Sequence, residues 1–264
     1  MKRRTTLLTT ALLFSLTTIN AQATLINETV NGVNLVYDSV TNTTWTQDAN
    51  LLSTMLTNAI NQYGSDNKLV SDIVNATSGG VIYDVPNAYD NGTYTLNTGM
   101  FDSEGFTTWW GARAFVNYLD SINYGGSSQW ALPTEVNGIG YSITDTQMGE
   151  LFYNELGGTQ GNPVSSGQFI NLQTYLYWSG TELPTSSNPY SSGMALAFNF
   201  GTGQEGISKG APFLAWAVSQ GNVATSTVAL PNAIWMFGTG LLGLRLVRRN
   251  TSKNEIKQHY KSAD

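Results

Sequence analysis

Acidic side chains that lie close together in the sequence are the first candidates for chemistry, because carboxylates bind hard cations and paired carboxyl groups can hydrolyse glycosides. Four of them, in or beside a segment rich in Asn and Gly, are candidate calcium ligands: Asp84, Asp90, Asp102 and Glu104. No EF-hand spacing accompanies them, so solvated surface acids are the alternative interpretation. Two pairs are candidates for hydrolysis across a sugar cleft: Asp102 with Glu104, and Glu150 with Glu155.

Histidine and cysteine chemistry is limited by what the sequence contains. The single histidine, His259, lies in the C-terminal tail, and the chain has no cysteine. A Ser-His-Asp triad, a zinc site of His and Cys ligands and a Cys-His pair are therefore excluded between residues 24 and 229. Residues Gly201–Gly206 match G-x-G-x-x-G, but a strand rather than a helix is predicted to follow, which favours a glycine-rich hairpin loop over a dinucleotide site.

Aromatic residues have two further roles. Four tryptophans in strand-like apolar segments are predicted to fill the core: Trp45, Trp130, Trp178 and Trp216. Three tyrosines in predicted loops could stack on a sugar or be ordinary surface residues: Tyr89, Tyr94 and Tyr190. No catalytic constellation is predicted, and the sequence does not identify a ligand-binding residue.

Charge is distributed unevenly along the chain. Between residues 24 and 229, sixteen carboxylates stand against Lys68, Arg113 and Lys209, which gives this part a net charge of −13. Such a surface repels nucleic acid, and it repels anionic polysaccharide unless a cation bridges the two. A domain of about two hundred residues without cysteine must be held by core packing, which a bound ion could assist. Abundant Asn, Ser, Thr, Gly and aromatic residues are typical of an extracellular β-rich domain.

Periodicity and turn residues predict the elements that position these side chains. A hairpin is predicted over 25–37 with its turn at Asn31-Gly32, and apolar residues at helical spacing predict helices over 50–63, 108–123 and 145–156. Further strands are predicted at 43–47, 130–134, 169–172, 175–181, 194–200 and 213–218. Residues 65–105 are weakly patterned and are predicted to form a long surface insertion with short strands near 81–85 and 94–96. The mixed order of elements predicts an α+β fold.

The first residues have the three parts of a secretory signal peptide. Met1-Lys2-Arg3-Arg4 is basic, the run from Thr5 to Thr18 is uncharged and apolar, and Ala21-Gln22-Ala23 is a small-residue cleavage site. Cleavage is predicted after Ala23. An N-terminal anchor is the alternative, but the apolar run is short and rich in threonine for a membrane span.

A second apolar run, Leu230 to Val247, is followed by a basic tail. As a helix it would be roughly 27 Å long, slightly short of the hydrocarbon core of a bilayer. Basic residues next to an apolar segment stay cytoplasmic, so the preceding domain is predicted to face outward. A buried core helix is the alternative, which the cationic tail disfavours.

The same C-terminal region contains three features in a fixed order. They are Val228-Ala229-Leu230-Pro231, the apolar stretch 233–244, and the pair Arg248-Arg249. This combination resembles the PEP-CTERM family of sorting signals, and the resemblance implies processing by an exosortase-like enzyme. The run could therefore be a permanent anchor or a transient sorting signal.

A further set of segments extends over most of the region between the two ends: 35–38 with 44–50, 112–119, 129–134, 151–153, 177–182 and 215–218. The most specific are W-x-L-P-T at Trp130–Thr134 and Y-W-S-G-T-E at Tyr177–Glu182. Together they resemble the Lcl-type C-terminal domain of bacterial surface proteins. The resemblance implies a C-type-lectin-like α+β fold and a surface or adhesive role.

These features predict a signal peptide (1–23), a lectin-like ectodomain (24–222), a linker (223–229), a sorting and transmembrane segment (230–249) and a basic cytoplasmic tail (250–264). The predicted function is that of an exported cell-surface or biofilm-matrix protein whose ectodomain binds a glycan or a protein without catalysis. A surface glycoside hydrolase with paired carboxylates is the alternative.

Calcium is the one candidate cofactor. The expected partners are signal peptidase, the secretion translocon, an exosortase-like enzyme, a polysaccharide or surface protein, and the membrane. Nucleic acid is not an expected partner. The chain is expected to pass the inner membrane and reach the cell surface or the exterior.

Overall fold

In the computed structural model, which describes residues 25–136, 139–184 and 193–226, the chain enters the fold through a β-hairpin. Asn31 and Gly32 form its turn with φ angles of 52° and 79°. Positive φ at both central residues is the geometry that joins two twisted antiparallel strands through a two-residue loop. The hairpin predicted over 25–37 is therefore confirmed, with its turn at the predicted residues.

The strands of the described ranges form three antiparallel sheets, which with the helices make an α+β domain, as predicted. One sheet has the order β1-β2-β3-β11-β6, a second has the order β7-β10-β9-β8, and β4 pairs with β5. The strands are β1 (Leu25–Val30), β2 (Val33–Asp38), β3 (Thr43–Thr46), β4 (Val81–Tyr83), β5 (Thr93–Thr95), β6 (Trp130–Ala131), β7 (Gly140–Tyr141), β8 (Leu176–Glu182), β9 (Ala195–Asn199), β10 (Gln204–Ser208) and β11 (Val218–Gln220).

The helices begin and end at residues with local capping roles. The Thr108 hydroxyl accepts a hydrogen bond from Gly111 N at 3.4 Å at the start of α3, and Gly64 ends α1 in the left-handed region. The helices are α1 (Leu51–Tyr63), α2 (Asn67–Ala76), α3 (Trp109–Ser121), α4 (Gln147–Glu150), which continues as a π-helical turn over Leu151–Glu155, and α5 (Val223–Ser226). The three predicted helices are confirmed, the last one capped by Thr146 rather than starting at Asp145.

The segment 65–105 was predicted as a surface insertion, and this prediction is wrong. The segment contains α2, and five of its apolar side chains are buried in the core: Val70, Ile73, Ile82, Leu96 and Met100. It packs inward because α2 is amphipathic and lies against α3. The short strands predicted inside it are confirmed as β4 and β5.

Two predicted strands are mostly irregular. Residues 169–172 make a single bridge, from Ile170 to Asp48, and 213–217 make isolated bridges to Thr107 and Tyr177 before β11 begins. The second segment is irregular because it crosses from β8 in one sheet to β3 in the other. A strand at the position of β10 was not predicted. It follows the glycine-rich turn at Gly201, so Gly201–Gly206 belongs to a β9–β10 hairpin. This agrees with the interpretation of the motif as a glycine-rich hairpin loop rather than a dinucleotide site.

The core consists of two clusters of buried side chains, and the large aromatic rings dominate both. All four tryptophans predicted for the core are buried: Trp45, Trp130, Trp178 and Trp216. The indole N–H of Trp178 donates to Thr107 O at 2.8 Å, and that of Trp216 donates to Thr46 O at 2.9 Å. These bonds let the rings of Trp178 and Trp216 be buried without an unpaired donor, whereas Trp45 Nε1 is buried without a hydrogen-bond partner among the described residues.

None of the helices in the described part of the chain is long and apolar enough to span a membrane. The predicted signal-peptide site at Ala21 and Ala23 lies outside the described residues. The same holds for the predicted sorting residues Val228, Ala229, Leu230, Pro231, Arg248 and Arg249, and for Tyr190 and His259. All of these stay predictions.

Candidate functional site

A polar groove with a volume of about 310 Å³ lies beside the first turns of α1. Its walls come from α1 and from the irregular segment before β8, and its lining residues are Asn50, Ser53, Thr54, Thr57, Asn58, Asn171 and Gln173. Every one of these side chains is a neutral hydroxyl or amide. The groove therefore offers many hydrogen-bond donors and acceptors but no charge.

Asp48, just before α1, holds the two walls of the polar groove together. Its carboxylate accepts hydrogen bonds from Asn50 N at 2.9 Å, Thr54 Oγ1 at 2.5 Å and Asn171 Nδ2 at 3.1 Å. The backbone adds a bridge here, because Ala49 N donates to Ile170 O at 2.9 Å. The carboxylate of Asp48 thus positions the neutral groups around it through hydrogen bonds, and Asp48 is not among the residues that line the groove.

The loop 102–106 closes one end of the polar groove. Asn50 Nδ2 donates to Glu104 O, and Ser53 Oγ donates to Ser103 O, both at 3.0 Å. Gly105 has a φ of 87°, and a Cβ at this position would lie 2.3 Å from Asn50 Oδ1. Glycine is therefore required where the loop approaches the start of α1.

A second cavity, the carboxyl pocket, has a volume of about 400 Å³ and lies between the segment after β6 and the start of α4. Three of its lining residues are acidic, namely Glu135, Asp145 and Glu150. The rest are hydroxyl, amide or aliphatic: Val40, Thr41, Thr134, Val136, Thr144, Thr146 and Gln147.

Glu135 forms the buried side of the carboxyl pocket, and only 6% of it is exposed. Its backbone is fixed by reciprocal hydrogen bonds with Thr181, whose Oγ1 accepts from Glu135 N at 2.8 Å and donates to Glu135 O at 2.7 Å. Its Oε1 accepts a hydrogen bond from Met148 N at 3.1 Å, near the start of α4. The side chain is therefore held in one orientation by β8 and α4.

Glu205 of β10 is also buried, and its carboxyl group lies close enough to that of Glu135 for the two to interact directly. No N–H or O–H group of the described residues donates to Glu135 Oε2 or to either oxygen of Glu205. Two neighbouring carboxyl groups that lack donors must either hold a proton between them or bind a cation. Burial raises the pKa of Glu135 well above its ordinary range and raises the pKa of Glu205 to about 7.

The predicted hydrolase pair Glu150 and Glu155 lies on α4 and its π-helical turn. Burial raises the pKa of Glu155 to about 7, and the charges of Asp38 and Glu150 add to the shift. Glu150 also accepts a hydrogen bond from Asn154 Nδ2. The two carboxyl groups thus influence each other electrostatically, and Glu150 alone of the two lines the carboxyl pocket.

The four predicted calcium ligands do not converge on one site. Asn87 Nδ2 contacts both Asp84 Oδ2 and Asp90 Oδ1, at 3.2 and 3.3 Å. Asp102 instead caps an exposed turn, where its Oδ1 accepts from Glu104 N and Phe106 N, each at 2.9 Å. In the part of the chain that the structure describes, no group of three or more acidic or histidine side chains is arranged to hold a metal ion.

Asp84 belongs to a buried ionic cluster that sequence reasoning missed. Lys209 Nζ lies 2.6 Å from Asp84 Oδ2 and 2.5 Å from Glu182 Oε1, and its side chain is fully buried. The ammonium group also lies 4.6 Å from the ring centroid of Trp109. Trp110 Nε1 donates to Asp84 Oδ2 at 2.8 Å. This lysine cluster fastens the segment after β4 to β8 and the end of β10; the sequence signal for it was the scarcity of basic residues.

Two of the three candidate sugar-stacking tyrosines, Tyr89 and Tyr94, contact a tryptophan ring of the protein. Tyr94 stacks on Trp110 with ring centroids 3.9 Å apart, and Tyr89 contacts the same ring edge-on at 5.7 Å. Tyr89 nevertheless keeps 54% of its surface exposed.

No protein-family model matches this chain, and no curated protein or solved structure is significantly similar to it. Functional conclusions therefore depend on the residues and their geometry.

Proposed function

We propose that this chain is an exported cell-surface or extracellular-matrix protein whose ectodomain binds a glycan without catalysis. The observation that carries the proposal is the polar groove, because its lining consists of neutral hydroxyl and amide side chains. Such groups pair with the hydroxyl groups of an uncharged sugar, whereas an anionic or cationic ligand would need opposite charges.

The charge of the domain favours a neutral glycan over an anionic one. The predicted ectodomain carries a net charge of −13, and its basic residues Lys68, Arg113 and Lys209 do not line the polar groove. Lys209 is buried with Asp84 and Glu182, and Lys68 is paired with Asp72 at 2.6 Å. An anionic polysaccharide would therefore meet repulsion without a compensating contact.

A C-type-lectin-like fold is part of the proposal. It is supported by the α+β architecture and by the position of the segments that resemble the Lcl-type domain, which supply β3, α3, β6 and β8. The most specific of them, Trp130–Thr134, leads directly into Glu135. A protein ligand in place of a glycan would use the same surface in this proposal.

Export and sorting complete the proposed function and are supported by the sequence of the two ends. We expect signal peptidase to cut after Ala23 and an exosortase-like enzyme to cut near 228–231. Intact mass of the protein extracted from the cell surface tests both cuts. A mass that includes Arg248 and Arg249 would contradict processing and leave a single-span anchor.

Binding is tested with the purified full-length chain on a panel of neutral and anionic polysaccharides. We expect saturable binding to at least one neutral glycan, and we expect Asn58→Ala, in the groove, to weaken it about tenfold because hydrogen bonds worth about 1–2 kcal/mol are lost. Asn61→Ala is the matched control, since Asn61 is an exposed asparagine on the same helix that does not line the groove. Equal affinity of both variants would place the binding site elsewhere.

The hydrolase alternative has one specific observation in its favour. Glu135 is a buried carboxyl group with a raised pKa beside a cavity, which are properties of a general acid. Its partner Glu205 is in direct contact with it, however, whereas glycosidases hold their two carboxyl groups about 5–9.5 Å apart. Release of reducing ends from the same polysaccharide panel, lost in Glu135→Gln, would favour hydrolysis over binding alone.

A further inference from the structure

The carboxyl pocket is lined by acidic groups that have no basic partner among the described residues. Three acidic residues line it, and the buried Glu205 interacts with one of them, Glu135. The basic residues of the described ranges are engaged elsewhere: Lys209 with Asp84 and Glu182, Lys68 with Asp72, and Arg113 over the ring of Trp109 at 5.0 Å. Buried carboxylates without a counter-charge are costly, so this pocket is chemically suited to a cation from solution.

The oxygen atoms that would meet a cation are already free of protein donors. Glu135 Oε2 and both carboxyl oxygens of Glu205 are buried and accept no hydrogen bond from an N–H or O–H group of the described chain. Glu135 is 6% exposed and lines the pocket, so its carboxyl group is both buried and reachable through the cavity. Most buried carboxylates accept bonds from several donors, which makes three free oxygens in one place unusual.

The contact between the two carboxyl groups also fits one shared ion. Oxygen ligands of a single Ca²⁺ lie about 2.3–2.6 Å from it, which places neighbouring ligand oxygens about 3 Å apart. This separation is close to that of two hydrogen-bonded oxygens, so the pair could ligate one ion with little movement. Hydroxyl groups of the lining threonines and water from the cavity supply neutral oxygens of the kind that complete such a shell.

We propose that Glu135 and Glu205 form a binding site for one divalent cation, Ca²⁺, which enters through the carboxyl pocket. Calcium suits this site better than magnesium, because Mg²⁺ demands near-ideal octahedral geometry and gives up its water reluctantly. The site is distinct from the four acids that the sequence suggested, and it does not depend on glycan binding by the polar groove.

The first test is a calorimetric titration of the chelator-treated full-length chain with CaCl₂. We expect one saturable site that is weakened at least tenfold in Glu135→Gln and in Glu205→Gln, and much weaker heat with MgCl₂. The amide keeps the size of each side chain and can donate to the remaining carboxyl group, so circular dichroism should be unchanged. Asp90→Asn is the control for the sequence-predicted acids and should bind as the wild type does. No saturable Ca²⁺ binding, or loss of binding in Asp90→Asn alone, would overturn the proposal.

A second measurement locates the ion in the wild-type chain, in case a variant fails to fold. Met148 N–H donates to Glu135, Gly92 N–H donates to Asp90 at 2.7 Å, and Phe106 N–H donates to Asp102. In a ¹⁵N-labelled sample, Ca²⁺ should shift the Met148 amide signal, while the other two amides stay in place. An unmoved Met148 signal at saturating Ca²⁺ would refute the site, whatever the variants do.

Discussion

Two buried ionic clusters in this domain differ in a single respect, the presence of a basic side chain. In the lysine cluster, Asp84 and Glu182 share Lys209, and Trp110 supplies a further donor. In the carboxyl pocket, Glu135 and Glu205 interact with each other and with neutral donors such as Met148 N, but with no basic side chain of the described residues. The comparison teaches that burial alone does not define a functional site. A carboxylate that has its counter-charge fastens the fold, and one that lacks it is available to a proton or an ion.

Removal of the cation from the lysine cluster should have the largest effect. Lys209→Met leaves the buried carboxylate of Asp84 and the partly buried one of Glu182 without a counter-charge, and we expect a loss of about 3–5 kcal/mol in the free energy of unfolding, measured by urea denaturation. The methionine retains most of the apolar stem, so packing changes little. A loss below about 1 kcal/mol would mean that water reaches the lysine cluster and solvates its carboxylates. The counter-charge would then not be what distinguishes the two clusters.

The carboxyl pair should make the free energy of unfolding fall as the pH rises. A carboxylate paired with a basic side chain has the opposite effect, because it stabilises the fold once it is ionised. Glu205 has its pKa raised from 4.5 to about 7, and burial also raises the pKa of Glu135 well above its ordinary range, so the folded state keeps protons that the unfolded chain releases. This stabilisation is complete below about pH 4.5 and is lost as the pH rises through about 7.

Thermal unfolding between pH 4.5 and 8, with a chelator present, measures this dependence. We expect Glu205→Gln to flatten the profile, because an amide cannot ionise. Some slope should remain, since burial still raises the pKa of Glu135 and the pKa of Glu155 is also raised to about 7. Glu104→Gln, in an exposed turn, is the control and should keep the wild-type profile. A wild-type melting temperature that does not fall across this range would contradict the shared proton.

A smaller effect is expected when the lysine cluster keeps its cation but loses one donor. Trp110→Phe removes the bond from Nε1 to Asp84 Oδ2 and keeps a ring that can stack on Tyr94. The expected cost is about 1–2 kcal/mol, again from urea denaturation. A cost as large as that of Lys209→Met would show that ring packing, and not charge, holds this cluster.

The smallest effect should come from the exposed ion pair. Lys68 and Asp72 lie one helical turn apart on α2, with side chains 74% and 41% exposed. Lys68→Met should change the free energy of unfolding by less than about 0.5 kcal/mol. A larger loss would indicate that Lys68 contributes through packing of its stem on the surface of α2.

Local signals in the sequence predicted much of the fold. Asn31-Gly32 determined the first hairpin, because few residue pairs take positive φ at both turn positions. Gly64 and Thr108 likewise marked where helices end and begin. The helix α2 escaped prediction because Asp66 makes no capping bond and the helix is short, so its burial depends on α3 rather than on a local signal.

The chemistry of the two clusters could not be predicted from the sequence. Glu135 and Glu205 are far apart in the chain, and only the packing of α4 and β10 brings them together. The same holds for Lys209 and Asp84, since the sequence suggested Asp84 as a metal ligand and gave it no partner. The acids that were close in sequence, Asp102 and Glu104, instead form an exposed turn. Acidic residues that are close in the sequence thus form a local turn, whereas the buried clusters join residues that are far apart in the chain.

The place of β11 in the five-stranded sheet has a consequence for the order in which the domain can form. Its residues Val218–Gln220 lie between β3 and β6, and Thr44 Oγ1 donates to Gly221 O at 2.7 Å. During synthesis, β3 emerges from the ribosome long before its partner. Until residue 220 has followed, β3 and β6 both present open edges to other chains. The nascent domain is therefore exposed to mispairing for most of its synthesis, and the last few residues close both edges at once.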